Sequence, residues 1–228
     1  MKALRTTLTA AAVVFGSAAA WAQGSYSFTN TVNQTIPDGN QNGLTLAGNF
    51  TGMNGSISDI SLSLNISSAP GSTAYNGDLY AYLAGPNGGY SVLLNRVGVG
   101  TGNTFGYADT GFNVTFALAG SPANIHFYQA GSFNITGGQL TGTWAPDGRT
   151  VDPLSTPSSF DATGTAGLDS FVDKNPNGTW VLFLADVSGN NTSEVNSWTL
   201  NIGTIPEPSA WALMALGVAA LVRFRRRN

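Results

Sequence analysis

The sequence predicts an all-β protein: a jelly-roll-type antiparallel β-sandwich of eight or nine strands, flanked by an N-terminal signal helix and a short C-terminal hydrophobic helix. Three observations predict it. Between Ser58 and Ser67, Ile60, Leu62, Leu64 and Ile66 alternate with Ser61, Ser63 and Asn65, the pattern of a strand with one face buried and one solvated. Composition agrees, since 29 glycines, abundant Asn, Ser and Thr and only 9% charged residues suit short strands and tight turns rather than long surface helices. The third is a closing strand pair. Thr179 to Asp186 is an almost continuous apolar run, as expected of a strand covered on both faces. After the loop at Ser188-Gly-Asn-Asn-Thr-Ser, Trp198, Leu200 and Ile202 alternate with Ser197, Thr199 and Asn201.

Length and composition narrow the function. The chain has 228 residues and no cysteine, which removes thiol catalysis, disulfide redox work and cysteine-ligated zinc. A body of roughly 180 residues needs no disulfide staple, because one core buries about 70% of the unfolded chain's surface. Between Gln23 and Ile205 stand three basic residues against eleven acidic ones, a net charge of −8. The other basic residues sit at the two ends. An acidic body without basic stripes excludes nucleic acid as a partner.

Three segments follow in order. Residues 1–22 carry Lys2 and Arg5, an apolar run from Leu8 to Ala20, and the small-x-small triplet Ala20-Trp21-Ala22, which together read as a cleaved signal peptide with Ala20 and Ala22 at the cleavage site. Residues 23–204 form the sandwich. Its early part is polar, with short strands expected at Tyr26–Phe28 and Leu44–Gly48 and a turn at Thr35-Ile-Pro-Asp-Gly39. Strands are then expected at Ser58–Ser67, from Leu79, over Ser91–Val97 and over Gly111–Leu118. Shorter ones follow at Asn124–Gln129, Phe133–Thr136 and Gln139–Trp144, and a long surface loop at Asp152–Gly167. No repeat of 20–50 residues is visible, which excludes a solenoid or propeller.

The motifs of the body, taken together, resemble the P domain (P/Homo B domain) that accompanies subtilisin-like proprotein convertases. The resemblance rests on Ile36-Pro-Asp, on Gly77-Asp-Leu with Leu83 and Pro86, on Leu93-Leu-Asn-Arg96, on Leu168-Asp-Ser-Phe171, and on Gly178-Thr-Trp-Val-Leu with Asp186 and Ser197-Trp-Thr-Leu-Asn-Ile202. It spans about Ile36 to Gly203 and implies a sandwich that serves as an interaction module or as an accessory to a secreted protease. Some P domains bind calcium, so Asp78 and Asp186 are candidate Ca²⁺ ligands, with Asx-turn capping as the alternative.

Residues 205–228 carry a different signal. Pro206-Glu207-Pro208 precedes thirteen apolar residues, Ala210 to Val222, and a basic cluster of Arg223, Arg225, Arg226 and Arg227. Thirteen helical residues span ~20 Å against a ~30 Å hydrocarbon core, so spanning needs flanking residues and snorkelling arginines. This tripartite tail resembles the PEP-CTERM sorting signal. That resemblance implies an exosortase-type processing enzyme, transient inner-membrane anchoring, and delivery to the surface or exopolysaccharide matrix of a bacterium.

Catalytic constellations are sparse. Asp109-Thr-Gly matches an aspartic-peptidase signature, but that chemistry needs two carboxylates sharing a proton and the chain has one copy. The one histidine, His126, has no activated serine motif to serve and no second His or Cys for zinc. Its alternation with Ile125 and Phe127 places it on the polar face of a strand. Trp180 and Trp198 are expected in the core, while Tyr80 and Tyr82 share a face opposite Leu79, Ala81 and Leu83 and could stack on sugars. The expectation is thus a non-catalytic exported surface or matrix protein. The alternatives are an accessory to a subtilisin-like endopeptidase, or a glycan-binding module of the matrix.

Overall fold

The computed structural model describes residues 23–205, residue 217 and residues 222–225. The expected signal segment with Ala20 and Ala22 lies outside the described residues, as do Pro206, Glu207, Pro208, Arg226 and Arg227. Among the described residues ten strands, numbered in chain order, make two sheets. The first runs β1 (Gly24–Thr35), β10 (Ser193–Ile205), β3 (Ser56–Ser68), β6 (Phe112–Ala117), β8 (Gln139–Trp144), β7 (Asn134–Thr136). The second runs β2 (Asn40–Phe50), β9 (Gly178–Asp186), β4 (Leu79–Ala84), β5 (Tyr90–Asn95).

The alternation read in the sequence builds the interior. Ile60, Leu62, Leu64 and Ile66 of β3, with Trp198, Leu200 and Ile202 of β10, face inward and meet Leu79, Ala81 and Leu83 of β4 and Trp180, Leu182 and Leu184 of β9. Each large aliphatic side chain among them contributes about 1.5–3 kcal/mol by leaving water. The outer face of the first sheet is a row of hydroxyls. Thr29 pairs with Thr199 and Ser63 with Thr115, each at 2.9 Å, and register places Thr199 opposite Ser63.

Several expectations are corrected. The sandwich is not wholly antiparallel, because β8 lies parallel to β6, with Phe112 opposite Leu140 and Phe116 opposite Trp144. Residues 124–129 are not a strand. Ile125–Ala130 is a 3-10 turn capped by the Asn124 side chain, and it buries Ile125 and Tyr128 three residues apart. β9 is not covered on both faces, since Val181 and Phe183 stay half-exposed on its outer side. β1 and β2 are 12 and 11 residues long where only short strands are expected, because full-length partners in β10 and β9 supply their hydrogen bonds. The long loop at 152–167 contains a 3-10 turn, Pro157–Asp161, that buries Phe160.

Candidate functional site

One end of the sandwich gathers acid. Asp186 closes β9, and Asp78 ends the 3-10 turn that leads into β4; the next residue, Leu79, is in register with Asp186. The backbone of Val187 donates to the Asp78 carbonyl at 2.9 Å, tying the two segments together. Asp38, in the turn between β1 and β2, joins them, its Oδ2 accepting from Asn190 N at 3.2 Å.

Asp78 and Asp186 are both buried, Asp186 completely. Its Oδ1 accepts a long bond from Ser188 N at 3.4 Å, and its Oδ2 has no partner. Burial pushes the Asp186 carboxyl up to about 8, opposed by the Ser188 backbone and reinforced by the charges of Asp78 and Asp38. Burial likewise raises Asp78 to about 6, with Arg96 and a Ser188 hydrogen bond pulling down and Asp38 pushing up. A cavity of about 390 Å³ opens on Asp78, bordered by Phe105, Ser188, Asn190 and Asn191; Asp186 lies outside its lining. Among the described residues no three His, Cys, Asp or Glu side chains are placed to hold a metal by themselves. A cation here would therefore draw on serine, amide and backbone oxygens as well as carboxylates, a donor set that suits a hard ion.

The sequence marked Asp78 and Asp186 separately. It did not join Asp38 to them, although Pro37-Asp-Gly marked that turn, because the three lie far apart in the chain and only the sheet order brings them together.

A second cluster surrounds the histidine, and it corrects the expected surface position. His126 is fully buried, with Nδ1 2.7 Å from Asp147 Oδ2 and Nε2 2.9 Å from the Val99 carbonyl. Arg149 holds the other carboxylate oxygen at 3.0 Å, donates to the Phe160 carbonyl, and lies 4.8 Å over the Phe127 ring. With both ring nitrogens engaged, His126 has no free nitrogen to take a proton from a nucleophile. Its contacts instead tie the Ile125–Ala130 turn to the segment around Val99 and to residues 147–149.

Asp109 of the Asp-Thr-Gly triplet is similarly committed. Its Oδ2 accepts from the Tyr128 hydroxyl and Gln129 Nε2, both at 2.7 Å. Burial, and then this bond, hold the Tyr128 hydroxyl far above the usual phenol range. The tyrosines of β4 do share an outer face, but their rings pack on one another. Tyr82 stacks on Phe183 at 4.9 Å with 17° between planes, and the Tyr80 and Tyr90 hydroxyls meet at 3.1 Å.

At the tail, residues 222–225, including Arg223 and Arg225, are helical and exposed. No helix among the described residues is long and apolar enough to cross a membrane. Residues 204–227 match the PEP-CTERM protein-sorting motif. The tail is a PEP-CTERM sorting signal. It marks an exported protein sorted to the cell envelope and implies processing by an exosortase-type enzyme. No curated protein matches the chain. The chain is similar to crystal structures of a serine protease of Aeromonas sobria. For that protease in complex with the chaperone, the match covers 82% of this chain and 28% of that chain, with a TM-score of 0.44 and 13% identity. For the protease itself the figures are 80%, 27%, 0.41 and 12%. The chain spans less than a third of the length of these proteins, and neither TM-score reaches the level at which a shared fold follows.

Proposed function

We propose that this is a non-catalytic surface or matrix protein: a P-domain-like sandwich exported, sorted through its PEP-CTERM tail, and acting as an interaction module whose acidic end takes up a divalent cation, Ca²⁺ by preference. Setting β7 and β8 aside, the orders β1-β10-β3-β6 and β2-β9-β4-β5 support the jelly-roll reading, with successive strands crossing between sheets except at the β4–β5 hairpin. The observation that carries the cation is Asp186, fully buried with one carboxylate oxygen unpartnered beside Asp78. A buried ionised carboxylate in that state is costly, and a cation removes the cost. Asp78 and Asp186 would hold it, with oxygens of Ser188 and Asn190 completing the shell and the Asp38 charge nearby.

The test is the melting temperature in Ca²⁺ and in EDTA. A rise of several degrees with Ca²⁺ that Asp186→Asn and Asp78→Asn remove supports the site through linkage of binding to the native state. Identical melting in both media would sink it. The accessory-to-protease alternative rests on the P-domain resemblance alone. The glycan-module alternative draws less support, because the Tyr82 ring spends a face on Phe183 that a sugar would need.

A further inference from the structure

We propose that the open edge formed by β1 and β2 is a docking surface for a second copy of this chain, paired antiparallel through β1. The inference is independent of the cation. The other two edges of the sandwich are managed. The first sheet ends in β7, only three residues long. The second ends in β5, over which the chain folds back: Val92 N bonds the Ala166 carbonyl, Gly148 N the Val92 carbonyl, and Asp147 N the Leu93 carbonyl. At the opposite side both sheets end in long strands. β1 pairs only with β10 and β2 only with β9, and among the described residues no loop backbone bonds to either.

Free edges of this length are ordinarily blunted by charge or proline. Here neither strand contains Lys, Arg, Asp, Glu or Pro. The body as a whole carries a net charge of −8, so two copies repel in most orientations, and this strip is where they meet without like-charge opposition. The seam between the strands is also incompletely covered. Tyr26, Phe28 and Val32 of β1 and Leu44, Leu46 and Phe50 of β2 pack on the core yet remain half-buried.

The pattern of β1 is self-complementary. A register shift between Thr31 and Gln34, with Asn33 at φ 48°, leaves Gly24–Thr31 as the regular run. In that run Ser25, Ser27, Thr29 and Thr31 are exposed on one face, while Tyr26 and Phe28 point to the core side. Antiparallel pairing centred on Phe28 sets hydroxyl opposite hydroxyl and aromatic beside aromatic, so a two-fold axis keeps both faces in register. The two six-stranded sheets then become one.

Because the chain has no cysteine, single introduced cysteines report the contact cleanly. The full chain, produced in its own cell envelope, would carry Phe28→Cys, which this pairing sets opposite itself, or be mixed as Ser27→Cys and Thr29→Cys chains, which it sets opposite each other, with Asn134→Cys on β7 as the control. Under mild oxidation the β1 variants are expected to give a disulfide-linked dimer several-fold more abundant than the control. Adding Ser27→Lys and Thr29→Lys to the Phe28→Cys chain, which sets lysine opposite lysine, should suppress that dimer while leaving the melting temperature nearly unchanged. Equal cross-linking at β7 and β1, no dimer at all, or β1 adducts to a different protein would each overturn the proposal.

Discussion

At the scale of single residues, Asp186 makes a pH prediction whose sign is fixed by its environment. Its carboxyl is raised to about 8 and that of Asp78 to about 6, both above the unfolded carboxylate range near 4, chiefly by burial. Between roughly pH 4 and pH 8 the folded state therefore holds more protons than the unfolded one, and stability falls as pH rises. In EDTA the melting temperature should drop on going from pH 5 to pH 8, and Asp186→Asn should flatten that slope. Saturating Ca²⁺ should weaken or reverse it, since the ion binds the ionised carboxylates. A profile that is flat in EDTA would show that the two carboxyls titrate alike in both states. His126 makes a different prediction. His126→Ala leaves Asp147 one hydrogen bond short and the Val99 carbonyl unpaired in a dry interior. The expected loss is about 3–5 kcal/mol, read from the urea midpoint.

At the scale of elements, Gly111 sets how β6 leaves its turn. It sits at φ 128°, and an added Cβ would run into the Ile66 carbonyl oxygen, with Asn76 Oδ1 accepting from its N–H at 2.7 Å. Gly111→Ala should cost ~2 kcal/mol or more and loosen the β3–β6 pairing, visible as faster hydrogen exchange at Phe112 and Val114. Legibility in the sequence follows the same physics. β3, β9 and β10 could be read because the core demands large apolar side chains at every second position there. β1 and β2 could not be bounded, since edge strands rich in Ser, Thr and Asn owe their length to a partner rather than to their own pattern. Residues 124–129 were misread as period two although Ile125 and Tyr128, the side chains that are buried, stand three apart. The parallel β6–β8 pairing has no local signature. Of the acidic end, Asp78 and Asp186 were visible as strand-terminal carboxylates, whereas burial, the unpartnered oxygen and the approach of Asp38 exist only once the sheets are assembled.

At the scale of the whole molecule, the register of β1 on β10 gives the body a direction. Gly24 lies opposite Thr204, so the start of the sandwich and the departure of the PEP-CTERM tail share one end. β10 begins at Ser193, beside the 187–192 loop that carries the acidic site, and thirteen residues at ~3.3 Å each place that loop ~40 Å from the tail. With the tail of an unpaired copy inserted in a bilayer, the acidic end would be the part of the body farthest from the lipid; antiparallel β1 pairing, which sends two tails to opposite ends, would belong to chains released from their tails. Single-cysteine fluorophores test this directly. A label at Ser25→Cys should be strongly quenched by headgroup spin-labelled lipid, and one at Asn190→Cys weakly. Equal quenching at the two positions would mean that the sandwich lies along the membrane, with its acidic end turned toward the headgroups instead of outward.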